Sequence, residues 1–179
     1  MRILVTGGVR SGKSRHAESL LAAAPSVAYV APGPTLEEEP DPDWAARLAS
    51  HRARRPERWR TVESRDLAGA LAEGLAAGEA VMVDCLGTWL TAIMDSRALW
   101  EANSEEAAAA VSAMVDDAVD VLGRQSGDVV LVTNEVGLGV VPAHRSGRLF
   151  RDLLGLVNQR LAEACDEVHL VVAGRVLKL

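Results

Sequence analysis

Gly7-Gly8-Val9-Arg10-Ser11-Gly12-Lys13-Ser14 is the stretch whose reading decides the fold. It follows the apolar run Ile3-Leu4-Val5 and opens into an Ala/Leu-rich segment from about Arg15. A strand, a loop spaced G-x-x-x-x-G-K-S and then a helix form the context of a phosphate-binding loop, or P-loop. Glycines let successive backbone N–H groups curl around a phosphate chain that a Cβ would obstruct. The helix N-terminus behind them adds partial positive charge. In that setting Lys13 reaches the β- and γ-phosphates, and the Ser14 hydroxyl ligates Mg²⁺. The motif implies nucleoside triphosphate binding; the reaction must be read elsewhere in the chain.

Outward from the loop, strands and helices alternate. Met1 to Thr6 reads as a buried strand and Lys13 to Ala24 as a helix stopped by Pro25. Val27 to Ala31 is a second strand. A proline-rich loop with the acidic run Glu37-Glu38-Glu39 follows, and Asp41-Pro42 caps a helix reaching about Arg55. Arg60 to Glu63 reads as a short strand, Asp66 to Ala77 as a helix, and Glu79 to Asp84 as a strand ending in a carboxylate. Leu86 to Trp100 is helical in composition, and Ser104 is expected to cap a long helix to about Gly123. Asp128 to Thr133 is a strand, Arg145 to Ala164 a helix, Glu167 to Val172 a strand, and Val176 to Leu179 a final edge strand. Continuous apolar strands between helices predict an α/β, P-loop NTPase-like domain over residues 1–179, its mostly parallel sheet covered on both faces. A ligand belongs at the carboxyl ends of the strands, where the P-loop and the Asp84 and Asn134 turns converge.

Composition narrows the partners. The 179 residues carry a formal net charge of −6, which argues against nucleic acid or an anionic membrane surface as partner. Aromatic residues are 3% of the chain, too few for stacking along a single strand. Cys85 and Cys165 lie far apart without C-x-x-C spacing and read as core residues of a reducing compartment. The opening apolar run is shorter than a signal peptide, no segment is long enough to span a bilayer, and the expected location is cytoplasmic.

Several side chains are candidates for chemistry. Asp84, closing a strand beside a P-loop, reads as the second metal carboxylate; a helix N-cap would leave the same trace. His51 lies in the cation-dense segment Ser50 to Arg60, where Arg47, His51 and Arg55 share a helix face. That face either binds polyphosphate, with the imidazole as acid, base or nucleophile, or is a solvated basic surface. Thr133 to Gly139 either touches substrate or is a turn. His16 and His169 read as structural. The four tryptophans, Trp44, Trp59, Trp89 and Trp100, read as packing or subunit contacts.

Beyond the P-loop, ordered blocks along the chain match one family. They are Ile3 to Glu18 (ILVTGGVRSGKSRHAE), His51 to Glu63 (HRARRPERWRTVE), Val83 to Thr91 (VDCLGTWLT) and Val132 to Pro142 (VTNEVGLGVVP). Arg148 to Asp152 (RLFRD), Val157 to Ala162 (VNQRLA) and the closing VVAG complete the series. The chain resembles the bifunctional adenosylcobinamide kinase/adenosylcobinamide-phosphate guanylyltransferases of cobalamin biosynthesis over essentially its whole length. The resemblance implies that ATP or GTP phosphorylates the aminopropanol hydroxyl of adenosylcobinamide. A histidine then takes GMP from GTP, releasing pyrophosphate, and passes it on to give adenosylcobinamide-GDP.

The same resemblance implies residue roles. Gly7, Gly8, Val9, Arg10, Ser11, Gly12, Lys13 and Ser14 hold phosphates, Ser14 and Asp84 serve Mg²⁺, and His51 is the nucleophile. Arg52, Ala53, Arg54 and Arg55 form the segment that neutralises departing pyrophosphate. Glu63 and Ala31-Pro32-Gly33 contact nucleotide. Ser50 stands where some relatives have a second histidine, and Gly87 where relatives often have a hydroxyl residue. The family assembles as a homotrimer. Two other readings remain at the level of sequence: a plain P-loop small-molecule kinase, for which the His51 to Glu63 block has no use, and a non-catalytic nucleotide switch.

Overall fold

The computed structural model describes residues 1–179, apart from the side chain of Arg47, so the place of Arg47 on the helical face lies outside the described residues. The strands are β1 (Arg2–Gly7), β2 (Val27–Ala31), β3 (Trp59–Glu63), β4 (Ala80–Asp84), β5 (Val129–Val132), β6 (Glu167–Val172) and β7 (Arg175–Lys178). Between them run α1 (Lys13–Leu20), α2 (Pro42–Arg54), α3 (Leu67–Ala76), α4 (Leu86–Ser96), α5 (Ser104–Arg124) and α6 (Arg145–Glu163). All seven strands join one sheet in the order β3-β2-β4-β5-β1-β6-β7. Every pairing is parallel except β6 with β7; the final strand lies at the sheet edge, as expected, and runs antiparallel.

The helix starts follow local capping chemistry. Asp41 accepts from the Asp43 N–H at 2.9 Å, with Pro42 in the first turn of α2, where its missing N–H costs nothing. The cap of α5 is Asn103, not Ser104: Asn103 Oδ1 accepts from the Glu106 N–H at 2.8 Å. Asparagine one residue earlier satisfies the same orphan donors, so Ser104 becomes the first helical residue. The helix expected over Leu86 to Trp100 ends at Ser96.

The period-2 alternation of the strands divides the core. Leu4, Ala28, Val30, Val81, Val83, Val129 and Leu131 face α3, α4, α5 and α6. Ile3, Val5, Val27, Tyr29, Met82, Val130 and Val132 face the other way, toward Ala17 and Leu21 of the α1 segment. Both faces are covered, and unevenly. No described side chain of α2 is fully buried, so this helix is not part of either core. It stands over the carboxyl edge of the sheet instead.

Register aims the functional turns at one place. β1 lies between β5 and β6, β4 pairs Asp84 with Val132, and β2 pairs Ala31 with Glu63. The ends of β1, β2, β3, β4 and β5 therefore open onto a common edge. Leu154, fully buried on α6, anchors the larger core. Leu154→Ala is expected to lower the unfolding free energy by about 2–5 kcal/mol, read from the urea midpoint at unchanged slope.

Candidate active site

A cavity of about 690 Å³ occupies that edge. It is the size of a small-molecule site. Its walls come from the P-loop, the ends of β2, β3 and β4, the turn after β5, and α2. Six cationic side chains line it, Arg10, Lys13, Arg15, Arg52, Arg54 and Arg55, against two carboxylates, Glu63 and Asp84. In a chain of net charge −6 this is a local reversal of sign, which focuses polyanions into the cavity.

The P-loop contributes Val9, Arg10, Ser11, Gly12, Lys13 and Ser14 to the lining. Gly12 has φ +97°, a left-handed conformation in which a Cβ would be strained. Gly174, at the β6–β7 turn, donates its N–H to the Ser11 carbonyl at 2.8 Å and braces the loop from behind. Lys13 Nζ donates to the Gly8 carbonyl at 3.2 Å. Gly7 and Gly8, expected among the phosphate contacts, lie outside the lining. Gly7 is the last residue of β1, where a Cβ would sit 2.4 Å from the Val171 carbonyl; its glycine serves strand packing.

Asp84 is not the helix cap that sequence left open. Cys85 takes the cap position of α4, and Thr88 Oγ1 donates to the Cys85 carbonyl at 2.9 Å. Asp84, its side chain 7% exposed, instead faces two other candidates. Its Oδ2 accepts from the Tyr29 hydroxyl at 3.1 Å and lies 3.6 Å from His51 Nδ1. Burial first, and then the Asp84 charge, push the Tyr29 hydroxyl well above the ordinary tyrosine range, so it stays a donor. Oδ1 has no hydrogen-bond partner among the described residues.

The cation-dense segment is built in, rather than solvated along its whole face. Arg55 places its guanidinium carbon 3.7 Å from the Tyr29 ring centroid and donates to the His51 carbonyl at 3.1 Å and to Thr61 Oγ1 at 3.4 Å. Arg54 pairs with Glu18 of α1 at 3.2 Å, and Arg52 with Glu63 of β3 at 3.1 Å. These contacts hold α2 over the cavity through partly exposed pairs, each worth at most about 1 kcal/mol, which a phosphate can displace. Ala53 lies outside the lining because its helical position turns it away from its neighbours 52 and 54. Pro32 is buried beneath the lining residues Ala31 and Gly33.

Sequence reading missed several wall residues. Tyr29, the only tyrosine, read as a strand residue; period-2 alternation from Val27 puts it on the α1 side, next to the strand end. Trp44 also lines the cavity, contrary to a pure packing role, with its indole N–H donating to the Pro34 carbonyl at 3.1 Å. Trp89 and Trp59 are buried as expected. Asn134, whose turn the sequence did place at this edge, lines the cavity; a Cβ at Gly87 would approach its Oδ1 to 2.9 Å, so glycine there leaves the amide its room. His16 and His169 are hydrogen-bonded to each other at 2.8 Å, His169 continuing to Glu167 at 2.7 Å. Burial, then His169 and Lys178, hold His16 below its ordinary value.

Mg²⁺ fits the donor set. Ser14 and Asp84 both line the cavity and offer hard oxygen ligands, and no cluster of three or more acidic, His or Cys groups able to hold a metal occurs among the described residues. Magnesium that takes its remaining ligands from phosphate and water needs no larger protein set.

Fold and site together define a P-loop nucleotide-binding α/β protein. Solved structures of type III secretion ATPases share the fold. One, a prototypical ATPase of pathogenic bacteria, aligns with TM-score 0.52 at 10% identity, covering 94% of this chain and 50% of that one. Another, EscN of enteropathogenic E. coli, aligns with TM-score 0.58 at 11% identity, covering 96% and 43%. This chain thus spans about half or less of their lengths, and the likeness shows the fold alone. Full-length similarity is more specific. The chain belongs to the cobinamide kinase / cobinamide phosphate guanyltransferase family, whose description matches residues 3–179. It is 46% identical to the bifunctional adenosylcobalamin biosynthesis protein CobU of Salmonella typhimurium, covering 100% of this chain and 99% of that one. It is 41% identical to the Escherichia coli CobU and 39% identical to the Pseudomonas aeruginosa CobP, again over its whole length. Among the described residues, no helix is long and apolar enough to cross a membrane.

Cys85 is a wall residue, yet burial and then Asp84 push its thiol up, away from the thiolate form. Iodoacetamide at pH 8 is therefore expected to leave Cys85 unmodified in the folded protein and to alkylate it in urea, read by peptide mass spectrometry. Rapid native alkylation would contradict the protonated assignment.

Proposed function

We propose that this chain carries both activities of its family: it phosphorylates the aminopropanol hydroxyl of adenosylcobinamide with ATP or GTP, and then transfers GMP from GTP through His51 to the new phosphate. The observation that carries this reading is the presence, in one cationic cavity, of a P-loop and a histidine. A plain kinase or a switch has use for the first and none for the second.

In the kinase step, Lys13, Arg10 and the P-loop amides bind the β- and γ-phosphates and stabilise the charge that develops during transfer. Ser14 and Asp84 would hold Mg²⁺, which, when bound, neutralises phosphate charge. In the second step His51 attacks the α-phosphorus, and Arg52, Arg54 and Arg55 offset the charge of the departing pyrophosphate. Their present partners, Glu63 and Glu18, are exchangeable on energetic grounds. Glu63, Ala31 and Gly33 line the wall available to the nucleoside. Assembly as a homotrimer belongs to the same reading, and the exposed Val172, Val176, Leu177 and Leu179 of the β6–β7 region offer apolar surface for it.

Incubation with α-phosphate-labelled GTP and Mg²⁺, without corrinoid, tests the central step. An acid-labile, alkali-stable label is expected on the wild-type chain and not on His51→Ala, which keeps much of its kinase turnover. Lys13→Ala is expected to lower both activities, by at least about tenfold for a lost phosphate contact. An unlabelled wild type, or a label retained by His51→Ala, would contradict the assignment.

A further inference from the structure

Three side chains from three elements meet inside the cavity without any assigned relation to each other: Tyr29 of β2, Asp84 of β4 and His51 of α2. Asp84 Oδ2 is the common point, 3.1 Å from the Tyr29 hydroxyl and 3.6 Å from His51 Nδ1. We infer that Asp84 and Tyr29 act as positioning residues for His51, holding the Nδ1 edge of the imidazole against the carboxylate so that Nε2 is the atom that carries the guanylyl group. This rests on the histidine-transfer reading above and adds the reacting atom and the residues that select it.

The geometry favours one edge of the ring. A carboxylate only accepts hydrogen bonds, so an imidazole nitrogen drawn to it is the N–H nitrogen. The other nitrogen, Nε2, then holds the lone pair. Which edge faces Asp84 is set from both sides. Tyr29 is 4% exposed, and its hydroxyl remains a donor to Oδ2, which fixes the carboxylate. Arg55 stacks on the Tyr29 ring and donates to the His51 carbonyl, which fixes the backbone carrying the imidazole. One buried aromatic thus orders both partners of the pair. His51, its side chain 31% exposed, lines the cavity.

The chemistry balances through that arrangement. The Nε2 lone pair forms the bond to the α-phosphorus of GTP. The bond from that phosphorus to the oxygen bridging to the β-phosphate breaks, and pyrophosphate leaves with the electron pair. The ring becomes cationic, its Nδ1 proton facing the Asp84 carboxylate, which stabilises the charge. A phosphate oxygen of the acceptor then attacks the same phosphorus, the N–P electron pair returns to Nε2, and His51 is restored neutral. The remaining Asp84 oxygen, Oδ1, is not used in this contact, so the positioning role and a cation role do not compete for one atom.

The experiment is guanylylation of the full chain by GTP and Mg²⁺, with the adduct located by ³¹P–¹H correlation NMR on the denatured, alkali-stable product. Phosphorus on Nε2 is expected, and phosphorus on Nδ1 overturns the inference while leaving the histidine reading intact. The isomer is read on the wild-type chain, so the test does not depend on any variant folding. Tyr29→Phe keeps the ring under Arg55 and removes only the hydroxyl. It is expected to slow guanylylation about 10- to 100-fold, the scale seen when the outer partner of a metal-bound histidine is removed, with the KM for GTP changed far less. A Tyr29→Phe rate equal to wild type, or a loss confined to KM, overturns the positioning role. A wild type that takes no label on His51 overturns the transfer reading and this inference together.

Discussion

A triphosphate is a concentrated negative charge that must be held in one orientation, and in this chain that demand falls on the end of a single strand. β1 lies inside the sheet, flanked by β5 and β6, and so delivers its glycine loop from a fully supported base. The brace is backbone on backbone: Gly7 packs directly on the Val171 carbonyl, and Gly174 donates to Ser11. A side chain at Gly7 would collide with that carbonyl, and one at Gly174 would be strained by its left-handed backbone, φ +77°. The rest of the site is arranged around this fixed point, because parallel strands in register end at the same level.

The second half of the site is held differently. α2 buries no described side chain fully; it reaches the sheet through Arg52 and Arg55 and helix α1 through Arg54. Its most specific anchor is Arg55 on Tyr29, a contact between a planar cation and the face of a ring, stronger where solvent is excluded. Two kinds of support therefore meet in one cavity. The phosphate loop is rigid by packing, and the histidine is placed by polar contacts that can exchange. That division suits the two proposed steps, in which the loop holds the phosphate chain and His51 meets the α-phosphorus.

The sequence carried most of the fold because strand runs and turn residues are local signals. The G-x-x-x-x-G-K-S spacing, the apolar strands and Asp41-Pro42 each act within a few residues, and each recurs in the structure where expected. Ser104 was one residue off because Asn103 offers the same capping oxygen. The site was legible where a motif names it, at Lys13 and Ser14, and through family resemblance at His51. It was not legible where function depends on distance across the sheet. Nothing near Val27 to Ala31 marks Tyr29 as the partner of a carboxylate 55 positions away. Nor does local sequence separate Arg10, on the cavity wall, from Gly7, which is spent on strand packing. Trp44 was invisible for the same reason, since an aromatic on a short helix looks like packing until the cavity is present.

The claim on which the whole reading turns is that the P-loop and His51 address one nucleotide. A crystal structure of the chain with Mg²⁺ and a GTP analogue that cannot be cleaved between the α- and β-phosphates measures this most directly. The expected result places the β- and γ-phosphates in the loop of Gly8 to Ser14, with the α-phosphorus about 3–3.5 Å from a ring nitrogen of His51, the separation of a group poised to react. A nucleotide seated in the loop with His51 turned away and no imidazole nitrogen within reach of the α-phosphorus would contradict it.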